Sequence, residues 1–271
     1  MPSHLKKGGK DPRKTKNNES TSWGGVATWY DDLLGEKDTY QEKVILPALE
    51  RLCSSFKGKR ILDLACGQGY FSRALRNIGA DVIGVDISSE LIDLARTHSP
   101  KEIVFHVSSA HDLSFIPSAS IDAAVSVLAL QNINDLSKVF TEVKRVLKSS
   151  GVFMVILNHP AFRNPRQSSW GFDDEQEIQY RRLDGYLVEH HEEIDMHPGE
   201  TDTATTISFH RPLQHYLKLL FNNGFAVTRF EEWVSHKESQ NGPRKAAEDR
   251  ARKEFPLFLM IEASKYTRPL L

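Results

Sequence analysis

The chain has 271 residues, 39% hydrophobic and 9% aromatic, with a formal net charge of −1. That length and apolar content can bury a sizeable core, and the near-neutral balance gives no bulk electrostatic case for nucleic acid. Two cysteines, Cys53 and Cys66, are too few for a disulfide scaffold and suit a reducing compartment. No apolar run reaches the length of a membrane span, and the N-terminus lacks the apolar core of a signal peptide. A cytoplasmic protein with no membrane partner is expected.

Residues 1–20 carry Lys6, Lys7, Lys10, Arg13, Lys14 and Lys16 among glycine, proline and asparagine. Nothing there can form a core, so a disordered basic tail is expected. It has no interleaved aromatics of the kind that stack on single strands, so a solvated tail is favoured over an RNA arm. Order is expected from near Trp23, with residues 21–271 as one unit. Trp29-Tyr30-Asp31-Asp32-Leu33-Leu34 and Tyr40 to Leu49 mix aromatic residues with helical periodicity, which predicts N-terminal helices within 21–58.

Residues 60–88 carry the main signal. Arg60-Ile-Leu-Asp-Leu-Ala-Cys-Gly-Gln-Gly69 reads as a buried strand and a glycine-punctuated turn. A helix follows, then a second strand, Ile83-Gly-Val-Asp-Ile-Ser88, with an acid at its end. This is the layout of a nucleotide-type site at the carboxyl edge of a parallel sheet. A dinucleotide fingerprint wants three glycines, but Ala65 stands at the first position and Ser72 at the third. Asp63, at the end of the first strand, would repel a pyrophosphate and suits a ligand with a cationic end. Gly67 and Gly69 let the backbone pass close to such a ligand. Cys66, inside the turn, reads as a small packing residue.

On these residues the chain resembles the class I S-adenosylmethionine-dependent methyltransferases. Leu62-Asp-Leu-Ala-Cys-Gly-Gln-Gly69 is similar to their first motif and Gly84-Val-Asp-Ile-Ser88 to the acidic end of their second strand. The likeness is strongest to the small-molecule branch that includes quinone methyltransferases. It implies a Rossmann-like α/β fold, a mostly parallel seven-stranded sheet with an antiparallel last strand. It implies S-adenosyl-L-methionine as cofactor, held by Asp63, Ala65, Gly67, Gly69, Asp86 and Ile87, with Asp86 accepting the ribose hydroxyls. It further implies lid helices over the cofactor, which makes Tyr30 and Tyr40 candidates for the substrate pocket.

Apolar, β-branched runs predict strands at 60–64, 81–86, 103–107, 121–128 and 151–157, alternating with helices at 69–78, 89–98 and 135–148. Asn134-Asp135 supplies the start of the last helix and Ser149-Ser150-Gly151 its stop. After the third strand, Ser109 occupies the place where the family commonly carries an adenine-binding acid, with Ala110 beside it. Asp112 is late and is expected to cap the following turn. After the fourth strand the resemblance places Leu128 beneath the methionine part of the cofactor. Gln131 and Asn132 lie just beyond that strand's end, where open α/β sheets bind ligands.

Residues 158–210 break the pattern and predict a hairpin insertion on the substrate side. An irregular stretch at 163–174 precedes strand-like runs near 178–195 and 203–209, with a turn at His197-Pro198-Gly199-Glu200. Its candidate pocket residues are Gln167, Trp170 and Tyr180. Its arginines suit a partly apolar acceptor with anionic character. His159, directly after the fifth strand, and His210, in Phe209-His-Arg-Pro-Leu213, are the candidate general bases. His190, His191, Asp195 and His197 lack tight ligand spacing, and adjacent strand residues face opposite ways, so no metal is expected. A helix at 212–222, strands near 225–231 and 257–264, and a loop with a short charged helix at 236–254 complete the prediction.

The expected activity is methyl transfer to oxygen or carbon of a small-molecule acceptor. Methylation of RNA or protein is the alternative, although no Asn-Pro-Pro-Tyr-like motif follows the fourth strand. A non-catalytic cofactor-binding module is a second alternative. The missing glycines argue against a nicotinamide dehydrogenase. The sequence carries no signal of oligomeric state.

Overall fold

The computed structural model describes residues 23, 27–195 and 205–266, with the side chains of Thr28 and Tyr30 excepted. The expected basic tail and the turn at 197–200 lie outside these residues. The described chain begins with helix α1 (Ala27–Gly35), then a π turn (Gln41–Ile45) running into α2 (Leu46–Cys53). An alternating series follows: β1 (Arg60–Leu64), α3 (Tyr70–Asn77), β2 (Asp81–Asp86), α4 (Ser89–His98), β3 (Val104–Val107), β4 (Ile121–Val127), α5 (Leu136–Val146) and β5 (Leu147–Asn158). Two hairpins come next, β6 (Ser168–Asp173) with β7 (Ile178–Leu183) and β8 (His190–Asp195) with β9 (Thr205–His210). The chain closes with α6 (Leu213–Asn222), β10 (Phe225–Trp233), α7 (Lys245–Glu254) and β11 (Phe258–Lys265).

Seven strands form one sheet in the order β10-β11-β5-β4-β1-β2-β3. The pairs among β1 to β5 are parallel, while β11 runs antiparallel to both β5 and β10. This is the expected mostly parallel sheet with a reversed last strand. Alternation along β1 sends Leu62 and Leu64 to one face and Ile61 and Asp63 to the other. The first face packs on α5, whose Leu136, Val139, Phe140 and Val143 repeat at helical spacing, and on Tyr216 and Leu220 of α6. The second packs on α2, α3 and α4 through Leu49, Leu75 and Ile92. Both faces being covered explains why the central strands read as near-continuous apolar runs.

The chain runs outward from β1 to β3 on one side, then returns to lay β4 on the other. Strand order therefore reverses at β1/β4, which is where such sheets open a crevice beyond their carboxyl ends. Two expectations need correction. Helix α5 stops at Val146 rather than at Ser149-Ser150-Gly151. Fully buried Leu147 turns extended (φ −68°, ψ 138°) and pairs with Ile121, so those three residues lie inside β5. The insertion holds two hairpins rather than one, because the run at 178–195 divides into β7 and β8, which pair with different partners.

Candidate functional site

A cavity of about 390 Å³ opens at the β1/β4 reversal, lined by the carboxyl ends of four parallel strands and covered from above. Asp63, Ala65, Cys66 and Gly67 come from β1 and its turn, Asp86 and Ile87 from β2, Ser108 to His111 from the turn after β3, and Val127 to Ala129 from β4.

The β1 turn is built by left-handed backbone. Gly67 and Gly69 have φ of 55° and 82°, and Ala65 holds φ 58° without being glycine. Gly69 is the N-cap residue of α3, and its N–H donates to Cys66 O at 3.0 Å. A Cβ on Gly69 would meet the Phe105 ring at 3.0 Å, so the turn also packs tightly from below. Leu128, at the end of β4, is a second non-glycine residue with positive φ (53°). Its N–H bonds Ile156 O at 2.8 Å, and its carbonyl accepts Gln131 Nε2 at 2.7 Å. Two such residues on adjacent central strands mark the place where local strain is held by surrounding bonds.

Two carboxyls face this cradle. Asp63 is 2% exposed and shares a face with α3, whose Ser72 Oγ donates to it at 2.5 Å. Burial, aided by the nearby Asp86, pushes its carboxyl up to about 7, against the lowering effect of the Ser72 bond. Asp86 accepts Gly67 N–H on Oδ2 at 2.9 Å and Ser88 N–H on Oδ1 at 3.0 Å. Burial raises it too, opposed by those backbone donors. A carboxylate offers about four lone-pair positions, so each Asp86 oxygen keeps capacity for a ligand hydroxyl. Cys66 is buried and its thiol is pushed well up by burial, as befits packing rather than reactivity.

Beyond β3, Ser109 Oγ accepts the His111 N–H at 3.2 Å and lines the cavity with Ala110. Asp112 caps the next turn through Ser114 N–H at 3.0 Å, as expected. Asp135 caps α5 through the N–H groups of Ser137 and Lys138 at 3.1 and 3.3 Å. Eight of the nine cofactor candidates therefore line one cavity, and the ninth, Gly69, shapes its floor.

The substrate-side candidates are placed differently. His159 is not in the cavity wall: its Nε2 bonds Glu232 at 2.8 Å, and its Nδ1 accepts the N–H groups of Ala161 and Phe162. His210 bonds Tyr186 O through Nε2 at 2.7 Å and lies in a separate groove with His190 and His215. Tyr40 pairs with Ser235 and packs on His236 and Phe258. Buried Gln131 braces Leu128 from outside the lining. Gln167, Trp170 and Tyr180 go with the β6–β7 hairpin, which packs against α7 and away from the cavity; the Trp170 ring meets Phe255 and Arg181 there. Tyr30 sits on α1, its side chain outside the described residues.

The cover comes instead from the second hairpin, with Glu193 of β8 and Thr205, Thr206, Ile207 and Phe209 of β9, and from Trp23 and Leu34 at the N-terminal end. Ile133 and Asn134, after the short turn Leu130–Asn132, complete the side wall. Phe209 stood within the sequence phrase already singled out, and the alternation over 205–210 was visible. What the sequence lacked was any mark of which hairpin would fold over the strand ends. Arg211 fixes that choice: it is 5% exposed, donates to Ile133 O at 2.9 Å and Asn134 O at 2.6 Å, and lies over the Phe209 ring. No group of three or more potential metal ligands occurs among the described residues, nor any helix long and apolar enough to cross a membrane.

Residues 62–155 match the family model described as a methyltransferase domain. A ubiquinone biosynthesis O-methyltransferase from Paraburkholderia phymatum is 37% identical over 105 residues, 37% of this chain and 45% of that protein. The biotin biosynthesis bifunctional protein BioHC of Cellvibrio japonicus is 32% identical over 136 residues, 50% of this chain and 26% of that one. The chain thus spans less than half the length of these curated relatives. The crystal structure of an S-adenosylmethionine-dependent methyltransferase from Mesorhizobium loti superposes with a TM-score of 0.64 at 29% identity, covering 81% of this chain and 96% of that one.

Proposed function

We propose that this chain is a class I S-adenosylmethionine-dependent methyltransferase, a reading its likenesses support, and that it transfers the cofactor's methyl group to oxygen or carbon of a small, partly apolar acceptor. The observation that carries this is the pairing of two buried carboxyls, Asp63 and Asp86, with the left-handed cradle of Ala65, Gly67 and Gly69. S-Adenosylmethionine supplies a methyl made electrophilic by its sulfonium. Asp63, beside the β1 turn, would hold the cofactor's ammonium, since a buried carboxyl gains most from a cation. Asp86 would accept the ribose hydroxyls on its spare lone pairs. Ser109 and Ala110 would border the base, and Leu128 would underlie the methionine end.

On the acceptor side, β9, the 130–134 loop and the cover from Trp23 and Leu34 would exclude water and align the nucleophile with the methyl carbon. His159 and His210 are engaged elsewhere, so alignment carries the reaction in this reading, without an assigned general base. Residues 21–271 would act as one catalytic unit. The two buried thiols suit a reducing, cytoplasmic setting.

Calorimetry with S-adenosylmethionine on the full chain and on Asp86→Ala tests the cofactor site. Release of S-adenosylhomocysteine from a metabolite extract, with identification of the methylated product, tests the reaction. Absence of cofactor binding by the unaltered chain would sink the proposal.

A further inference from the structure

One acid in the cavity wall has no task in the reading above. The charged residues lining the cavity, among those described, are Asp63, Asp86, Asp135, Glu193 and Lys138. Asp63 and Asp86 face the cofactor cradle, while Asp135 caps α5 and pairs with Lys138 at 3.5 Å. Glu193 stands apart from these, on the covering hairpin. Alternation puts His191, Glu193 and Asp195 on one face of β8. The antiparallel register sets Phe209, Ile207 and Thr205 directly opposite them, and all three of these β9 residues line the cavity. Cross-strand partners share a face, so the hairpin carries the Glu193 side chain on the face it turns to the cavity.

The neighbouring Glu192 points the other way and meets a cation there. Arg166 Nη1 lies 3.4 Å from the Glu192 carboxylate, whereas Arg166 Nη2 bonds only the backbone oxygen of Glu193, at 3.0 Å. Among the described residues the Glu193 carboxylate makes no ion pair, and the residue is exposed, so a ligand can reach it. The insertion's other guanidinium groups are engaged elsewhere: Arg181 bonds Phe162 O and Ser168, Arg182 pairs with Asp184, and Arg211 bonds the carbonyls of Ile133 and Asn134. Around Glu193 the wall is apolar, from Ile133, Ile207 and Phe209. A lone carboxylate beside apolar surface suits a ligand with an apolar body and a cationic head, and displacing water as the site fills strengthens that attraction. An anionic acceptor would meet like charge and no forked donor.

We infer that the acceptor is an organic ammonium ion, an apolar body bearing a positively charged nitrogen, and that Glu193 is the residue that selects it. This rests on the methyltransferase reading above. A protonated nitrogen has no lone pair with which to attack the methyl, so the ammonium is a handle and an oxygen or carbon elsewhere on the same molecule is methylated. As that new bond forms, the sulfur–methyl bond breaks and its electron pair stays on sulfur in S-adenosylhomocysteine. The acceptor's oxygen or carbon gives its proton to solvent. The anionic acceptor that the insertion's arginines suggested in the sequence is thereby replaced by a cationic one.

The test uses the full chain saturated with S-adenosylhomocysteine and calorimetric titration with three probes of one shape. Phenethylamine, phenethyl alcohol and hydrocinnamate share an arene and a short stem and end in an ammonium, a hydroxyl and a carboxylate. The amine is expected to bind at least about tenfold more tightly than the alcohol, the range of a hydrogen bond to a charged group, with hydrocinnamate weakest. Glu193→Gln should bring amine and alcohol within about twofold of each other. Glu193→Asp should keep the order, and both variants should bind S-adenosylhomocysteine as the unaltered chain does. An amine no tighter than the alcohol, a preference that survives Glu193→Gln, or failure of all three probes to bind would each overturn the inference. Failure of the unaltered chain to bind S-adenosylhomocysteine would instead overturn the methyltransferase reading, so the two failures are distinguishable.

Discussion

Gly67 donates its backbone N–H to Asp86 Oδ2 at 2.9 Å, so the turn leaving β1 is fastened to the acid that ends β2. The same carboxylate is the group assigned to the ribose. Asp86→Ala should therefore loosen the turn and remove the ligand contact together. Each hydrogen bond to a charged group is worth about 1.5–3 kcal/mol, so cofactor affinity should fall by roughly a hundredfold or more. Asp86→Asn keeps an acceptor oxygen and should lose about tenfold. Calorimetry on both variants checks the order; equal losses would mean that shape alone matters.

In its proposed role, Asp63 should make cofactor binding depend on pH. Its carboxyl is raised to about 7 in the folded chain, mainly by burial, from an ordinary value of 3.8. Between those values the folded state holds a proton that the unfolded state has lost, so this group's contribution to stability declines as pH rises from about 4 to 7. A bound cation favours the ionised form. Binding should then release a proton below pH 7 and tighten as pH rises from 6 to 8. Calorimetry in buffers of different ionisation enthalpy measures that proton. Asp63→Asn should abolish the release and weaken binding, and a release that persists in this variant would assign it to another group.

The histidines selected from sequence should be dispensable for chemistry. His159→Gln is expected to keep kcat within about twofold and to leave its pH profile unmoved. Burial lowers the His159 pKa below 6.5, opposed by Glu232. The unfolded chain thus binds the proton more readily, and this group's contribution to stability is lost as pH falls through the unfolded value near 6.5. Urea titrations at pH 5.5 and 7.5 should show a smaller pH dependence in the variant. A collapse of kcat with unchanged stability would return His159 to the active site.

Gly84 and Phe105 are matched in size. A Cβ on Gly84 would come within 2.5 Å of the Phe105 ring, which also lies beneath Gly69. Gly84→Ala should cost roughly 1–3 kcal/mol of stability, the range for overpacking a core, and should disturb the cofactor turn through that ring. Adding Phe105→Leu should recover part of both losses. Thermal unfolding and cofactor titration of the single and double variants provide the check.

The two hairpins should separate cleanly by function. Phe209→Ala, in the β8–β9 cover, should raise the acceptor KM several-fold while sparing cofactor affinity. Trp170→Ala and Tyr180→Ala, in β6–β7, should leave both unchanged within about twofold. Steady-state kinetics with the acceptor found by product identification decide this, and an acceptor KM shift for Trp170→Ala would contradict the placement.

The parallel sheet and the cofactor cradle were legible because their determinants are local. Each strand run is read in place, and β1, the glycine turn and Asp86 fall within residues 60–86. Ala65 took a glycine-like conformation although its identity gave no sign of it, because the bonds around the turn hold it there. The acceptor side was misplaced because its determinants are long-range. Alternation announced strands in the insertion but could not say what each would pack against. Trp170, Tyr180 and the arginines looked like pocket chemistry; the Trp170 ring meets Phe255, Arg181 donates to the Phe162 carbonyl and Arg182 pairs with Asp184, away from the cavity. His159 and His210 sit close to strand ends in sequence, yet their bonds turn them away from the crevice.

The β6–β7 hairpin ends in an exposed turn at 174–177, where Asp174 reaches Arg244 across the surface. An exposed ion pair of this kind contributes little, and no residue of this turn lines the cavity. It is accordingly the natural place to graft a fluorophore, an affinity peptide or a surface tether. A preparation immobilised through this tip would keep its crevice open to solution, which suits the chain to direct capture of its unknown acceptor from crude extracts.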